Sequence, residues 1–134
     1  MGAVARECGE VIDHVSLQVS DVGVSTAFYR AVLSPLGIHP VPPADSGAVG
    51  FFGPSAGSFW LAPAQRAGDR ELHIAFRAMN RDAVHVFHQA ALAIGAEVLH
   101  APRLFPEYHS HYYAAFIRDP DGHNIEAVCT LPEH

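Results

Sequence analysis

Ten of the 134 residues are histidines, more than an ordinary chain of this length carries, and several accompany one glutamate near the end of the chain. Tyr112 to Arg118 and Asn124 to Cys129 read as two extended runs separated by Asp119-Pro120-Asp121-Gly122, whose proline and glycine suit a tight turn. The two runs therefore form a hairpin. Side chains alternate along a strand, so Ile125, Ala127 and Cys129 share one face while Asn124, Glu126 and Val128 share the other. In the first strand His111, Tyr113, Ala115 and Ile117 oppose Tyr112, Ala114 and Phe116, so Tyr112 and Tyr113 face different sides. A carboxylate left unpaired in so apolar a strand is expensive to bury. Glu126 thus calls for a cation, a hydrogen-bond donor or water beside it.

The chemistry available is bounded by size and charge. The length is that of one domain with its own core. A net charge of −6 with only 8 Lys plus Arg, and no basic run, disfavours nucleic acid and anionic membrane as partners and leaves a small molecule as the expected one. The apolar runs fall short of the roughly 20 residues that cross a bilayer. Cys8 and Cys129 form no Cys-x-x-Cys pair and follow no secretory leader, which predicts reduced thiols in a cytoplasmic protein.

The elements that must position Glu126 occur twice. Residues 1–10 have no period and read as a flexible lead-in. Val11 to Val19 alternates as a half-buried strand, with Ile12, His14, Ser16 and Gln18 on one face. Asp21 can cap a helix whose apolar positions are Val24, Phe28, Ala31, Val32 and Leu36, closed by Gly37. Three short strands follow, over His39 to Val41, Val49 to Phe52 and Ser58 to Ala62. The same order then recurs: a strand over Glu71 to Ala78, a helix capped by Asn80 with Ala83, Phe87, Ala91 and Ile94, closed by Gly95, and strands over Glu97 to His100 and in the hairpin. His14 and His73, Phe28 and Phe87, and Leu33 and Leu92 all share a spacing of 59. Beyond the helices the second half carries a longer segment, Ala101 to Ser110. With that allowed, Phe59-Trp60-Leu61 falls on Ile125-Glu126-Ala127, and Trp60 takes the place that Glu126 holds in the second half. The expected fold class is α+β, two tandem βαβββ modules over residues 11–65 and 71–130 of one domain (11–130), with a tail at 131–134.

This pattern resembles the vicinal oxygen chelate superfamily, which includes glyoxalase I, the extradiol ring-cleaving dioxygenases, the fosfomycin-resistance thiol transferases and the bleomycin-binding proteins. The resemblance rests on Asp13-His14-Val15, Ala27-Phe28-Tyr29, Leu72-His73-Ile74 and the run from Arg118 through Asp119-Pro120-Asp121-Gly122 to Glu126, and it spans Val11 to Thr130. It implies strands curled into a cup with ligands on the face away from the helices. His14, His73 and Glu126 are then the candidate metal ligands, and the alternation puts each on that face. Two imidazoles and a carboxylate suit one divalent ion of Fe, Mn, Ni, Co or Zn and leave positions open for a substrate with adjacent oxygens. The competing reading makes both histidines hydrogen-bonded interior groups and pairs Glu126 with Arg77.

Further roles follow from the same resemblance. Glyoxalase I uses a glutamate where this chain has Trp60, so members with three ligands are better models. His109 stands where the extradiol dioxygenases carry a histidine, but Phe116 stands where they carry a tyrosine. Tyr108, His111, Tyr112 or Tyr113 could then move protons; we take His109, His111 and Tyr113 as the candidate catalytic groups. Trp60, Ser16, Tyr108, Arg77 and Asn124 are candidate substrate contacts, the first two also resembling positions in the thiol transferases, whose phosphonate-binding lysine and arginine have no counterpart here. His85 and His88 read as helix surface, and His39, His100 and His123 as solvated edges or turns. The expected function is a metal-dependent enzyme, dioxygenase-like or lyase-like, in a homodimer. The alternative is a metal-free small-molecule binder of the bleomycin-resistance type.

Overall fold

Strand β1 (His14–Val19) leads through Asp21 into α1 (Val22–Leu33), because the Asp21 carboxylate accepts a hydrogen bond from the Val24 amide at 3.0 Å and so satisfies one of the open N–H groups of the first turn. The computed structural model describes residues 12–55, 57–64 and 72–132; the expected lead-in at 1–10, Cys8 and the link before Leu72 lie outside them. A short 3-10 turn (Ser34–Leu36) ends at Gly37, whose φ of 79° lies in the left-handed region that glycine adopts without a steric penalty. Strands β2 (His39–Pro40), β3 (Val49–Phe52) and β4 (Ser58–Pro63) complete the first module. The second repeats it with β5 (His73–Arg77), α2 (Arg81–Ala93), β6 (Val98–Leu104), β7 (Tyr113–Arg118) and β8 (Asn124–Cys129). Asn80 caps α2 by accepting from the Ala83 amide at 2.8 Å.

The two sheets have the same topology, β1-β4-β3-β2 and β5-β8-β7-β6, with β1 parallel to β4 and β5 parallel to β8. The expected α+β architecture of two βαβββ modules is present. Among the described residues, strands β1 and β5 are each the outer strand of a sheet, with one edge unpaired. Helix α1 buries Ser25, Phe28, Tyr29, Val32 and Leu33, a stripe stepping at three and four that is rotated from the expected one, so that Val24 is exposed. Leu92 is likewise exposed although its repeat partner Leu33 is fully buried. Strand β6 runs on to Leu104, through residues expected to be an insertion, and register shifts on either side of His100 accommodate the added length.

One core serves both modules. Phe28, Val32, Leu33, Phe51, Phe59 and Leu61 from the first join Val84, Phe87, Ile117, Ile125 and Ala127 from the second, and the rings of Phe59 and Phe76 meet edge to face at 5.1 Å. Tyr29 crosses this core to donate to the Asp119 carboxylate at 2.5 Å. Asp119 is itself buried and also accepts from the amides of Asp121 and His123. Ser20 donates to Asp121 at 2.7 Å. The Asp-Pro-Asp-Gly turn, which the sequence suggested only as a hairpin connection, therefore fastens the two modules together. Burial, then the neighbouring Asp119 carboxylate and its hydrogen bond, hold the Tyr29 hydroxyl far above the usual tyrosine range.

Candidate functional site

The face of the second sheet turned away from α2 carries a second, smaller cluster of Phe105, Ala114 and Phe116, with Leu99, Tyr112 and Val128 packed against it. Strand pairing places Glu126 opposite Phe116 on β7 and opposite Ala75 on β5. Glu126 is 1% exposed, and it is satisfied on both oxygens. Oε1 lies 2.9 Å from His73 Nε2. Oε2 accepts the hydroxyl of Tyr112 in a short hydrogen bond. The acid expected to need a partner has two, and neither is Arg77, which is exposed and has no partner among the described residues. Burial, followed by the hydrogen bond to Glu126, raises the Tyr112 hydroxyl above the ordinary tyrosine value.

Around this pair the rings form a continuous wall. His73 stacks on Phe116 at 5.9 Å, and His100 meets Phe116 and Phe105 edge to face at 5.4 and 5.7 Å. His100 is thus part of the cup lining as well as solvent-exposed. Tyr108, 63% exposed, stacks on Phe105 at 5.9 Å, and the guanidinium of Arg103 lies 3.7 Å from the centre of the same ring. Asn124, opposite His73 on β8, has a buried Oδ1 with no hydrogen-bond partner among the described residues.

His14 opens β1 as His73 opens β5, and both border a groove of about 830 Å³ between the two modules. The His14 Nδ1 lies 2.9 Å from Asp13 Oδ1, and the ring is exposed. Among the described residues no three His, Cys, Asp or Glu side chains converge closely enough to hold an ion. Within one chain, then, His73 and Glu126 meet while His14 does not join them. The donor set is right in kind for a divalent ion, but a single chain supplies two of the three groups.

The other candidates divide between the two sheet faces. Tyr113 belongs to the helix side, where its hydroxyl is 2.6 Å from His85 Nε2 and its ring is 4.9 Å from the Arg81 guanidinium. That removes Tyr113 from the face of Glu126, and it gives His85, expected to be plain surface, a specific partner. His109 accepts the His111 amide on Nδ1 at 3.0 Å, and their rings are 5.8 Å apart, so both help shape the loop before β7. His123, expected to be solvated, is buried and accepts the Leu72 amide at 3.0 Å. In the first module Ser16 pairs with Trp60 across β1 and β4. The Trp60 indole donates to Ser58 at 2.9 Å, and its ring covers Gly50, where a Cβ would come within 2.8 Å of it.

Tyr112 is a partner of Glu126 that the sequence does not identify. Strand alternation had placed it on the face of Phe116, but its bond to Glu126 depends on the ring crossing the small Ala114, a detail of packing. No helix among the described residues is long and apolar enough to cross a membrane.

The sequence profile of the Glyoxalase/Bleomycin resistance protein/Dioxygenase superfamily matches residues 11–127. Among solved structures, a glyoxalase/bleomycin resistance protein from Albidiferax ferrireducens is 29% identical, with a TM-score of 0.76 over 92% of this chain and 100% of that one. A lactoylglutathione lyase from Agrobacterium tumefaciens is 23% identical, with a TM-score of 0.70 over 90% and 94% of the two chains. A glyoxalase/bleomycin resistance protein/dioxygenase family enzyme from Burkholderia phytofirmans is 17% identical, with a TM-score of 0.70 over 89% and 98%. The last two likenesses bear on the fold alone. No curated protein matches the sequence.

Proposed function

Because the chain belongs to the Glyoxalase/Bleomycin resistance protein/Dioxygenase superfamily, we propose that it is a divalent-metal enzyme acting on a small substrate with adjacent oxygens, lyase-like or dioxygenase-like. Its site takes His73 and Glu126 from one chain and His14 from a second copy. The observation that carries this reading is the 2.9 Å contact between the His73 imidazole and the Glu126 side chain, on neighbouring strands at an open sheet edge. The exposed ring of His14 at the other open edge is available to a partner. Bound there, a divalent ion would supply Lewis-acid stabilisation of an oxyanion. The chain's own contribution is to bury the acid, hold it with Tyr112, and wall the site with Phe105, Phe116, Tyr108 and His100. Trp60 and Ser16 would line the opposing surface, with Arg77 and Asn124 at the substrate's polar groups. His109 and His111, in the loop before β7, are the proposed proton-carrying groups. We infer a cytoplasmic homodimer.

The test is subunit complementation. His14→Ala and Glu126→Gln chains should each lose the metal-dependent rise in melting temperature, and mixing them under conditions of subunit exchange should restore part of it, since each mixed dimer contains one intact site. Failure of the wild-type protein to bind Ni, Co, Zn, Mn or Fe would sink the reading. A second reading is supported by the two internal partners of Glu126, which satisfy the acid without an ion. On that reading the aromatic cup is a metal-free binding site of the bleomycin-resistance kind.

A further inference from the structure

The second module has a longer segment before its hairpin than the first, and its structure suggests what the added length does. The Phe105 amide donates to the Tyr112 carbonyl at 2.8 Å, and the Tyr112 amide to the His109 carbonyl at 3.3 Å. These bonds close the loop at its base and fix the backbone of Tyr112. The Tyr112 ring is then held edge to face by Tyr108 at 5.1 Å and by Phe105 at 6.4 Å. It packs with the cluster that includes Ala114, the residue between Tyr112 and Phe116 on the same face. Ala114 is fully buried and bears only a methyl group, so it leaves a lane along the sheet for the tyrosine ring. At the end of that lane the hydroxyl reaches Glu126 Oε2.

From this arrangement we propose that Tyr112 is a positioning residue that selects which oxygen of Glu126 is offered to a cation: it ties up Oε2 and leaves Oε1, the oxygen beside His73, as the donor. The inference rests on the metal reading above. A carboxylate held on one oxygen by a fixed donor keeps a single orientation, whereas a released one can turn and present both oxygens, and such supporting contacts commonly govern metal affinity by about 10- to 100-fold. The segment Ala101 to Ser110, which the first module lacks, is on this view the device that delivers a hydroxyl to an acid that the first module also lacks.

The experiment is titration of the full-length protein with Co(II), following binding by calorimetry and by the visible absorption band of the bound ion, for wild type, Tyr112→Phe and Glu126→Gln. Tyr112→Phe keeps the ring and its packing and removes only the hydroxyl. We expect it to bind Co(II) about 10-fold or more weakly, with a band altered in position or intensity as the freed carboxylate turns. Glu126→Gln should abolish binding. Co(II) binding by wild type and Tyr112→Phe within about twofold, with the same band, would overturn the role of Tyr112 and leave the metal reading standing. A weaker affinity with an unchanged band would reduce Tyr112 to packing and overturn it equally. No Co(II) binding by the wild type would overturn both.

Discussion

The two half-cups share a backbone plan and exchange their side chains. In the first, Trp60 on β4 lies opposite Gly50 on β3 and Ser16 on β1. In the second, Glu126 on β8 lies opposite Phe116 on β7 and Ala75 on β5. The large ring stands on the last strand of the first module but on the next-to-last strand of the second, and in the second the acid occupies the last-strand position. The first half-cup thus presents an indole held by Ser58 against a glycine, and the second an acid held by His73 and Tyr112 against a phenylalanine. A duplicated fold keeps its strand register because slipping by one residue would turn every core side chain outward. What faces the cup is freer to change, so one module can carry the acid and the other an aromatic surface.

The sharpest challenge to this contrast is truncation of the two rings. Phe116 is 7% exposed and touches the rings of His73, His100 and Phe105, so Phe116→Ala should cost roughly 3–4 kcal/mol in urea unfolding. Trp60 is only half-buried, and Trp60→Ala should cost about 2 kcal/mol despite the larger ring. Equal losses would break the comparison. At the junction of the modules, Asp119→Ala leaves the Tyr29 hydroxyl and two amides without their acceptor and should cost roughly 3 kcal/mol, with loss of a single cooperative transition as the measure that the modules have come apart. Gly50→Ala should cost about 1–3 kcal/mol by forcing the indole off β3. Because the chain has one tryptophan, its fluorescence emission reports that displacement directly.

Tyr29→Phe should cost about 1–2 kcal/mol near neutral pH, and it carries a pH signature. The hydroxyl is raised above its ordinary value of 10.0, so the folded state keeps a proton that the unfolded state gives up. The stabilisation is complete below about pH 10 and is lost as pH rises beyond it. Wild type should therefore lose stability faster than Tyr29→Phe in alkaline unfolding. The smallest effects are expected where the modules are alike: Asp21→Ala and Asn80→Ala should each cost about 1 kcal/mol, since each removes one capping acceptor from one helix.

Much of this was legible in the chain. The caps at Asp21 and Asn80, the glycines closing the helices, the spacing of His14 and His73 and the correspondence of Trp60 with Glu126 all depend on local periodicity, and strand pairing agrees with them. The expected stripes included Val24 and Ile94, which are exposed, because a helical stripe is fixed only to within a turn until its neighbours are known. His123 is buried rather than solvated for a similar reason, its partner Leu72 being distant in sequence, whereas His85 is at the helix surface as expected. Tyr113 and Tyr112 could be assigned to opposite faces, but not to His85 and Glu126.

By itself, then, the sequence determined the duplicated βαβββ order, the faces of the strands and the residue types able to bind a cation, because these follow from side-chain periodicity and turn chemistry within each segment. The tertiary structure decided that Tyr112 and His73 share the Glu126 carboxylate, that Asp119 fastens Tyr29 across the module junction, and that His14 stands apart within one chain. Those outcomes depend on how separate segments pack and on side-chain reach over a small residue such as Ala114, which no local pattern encodes.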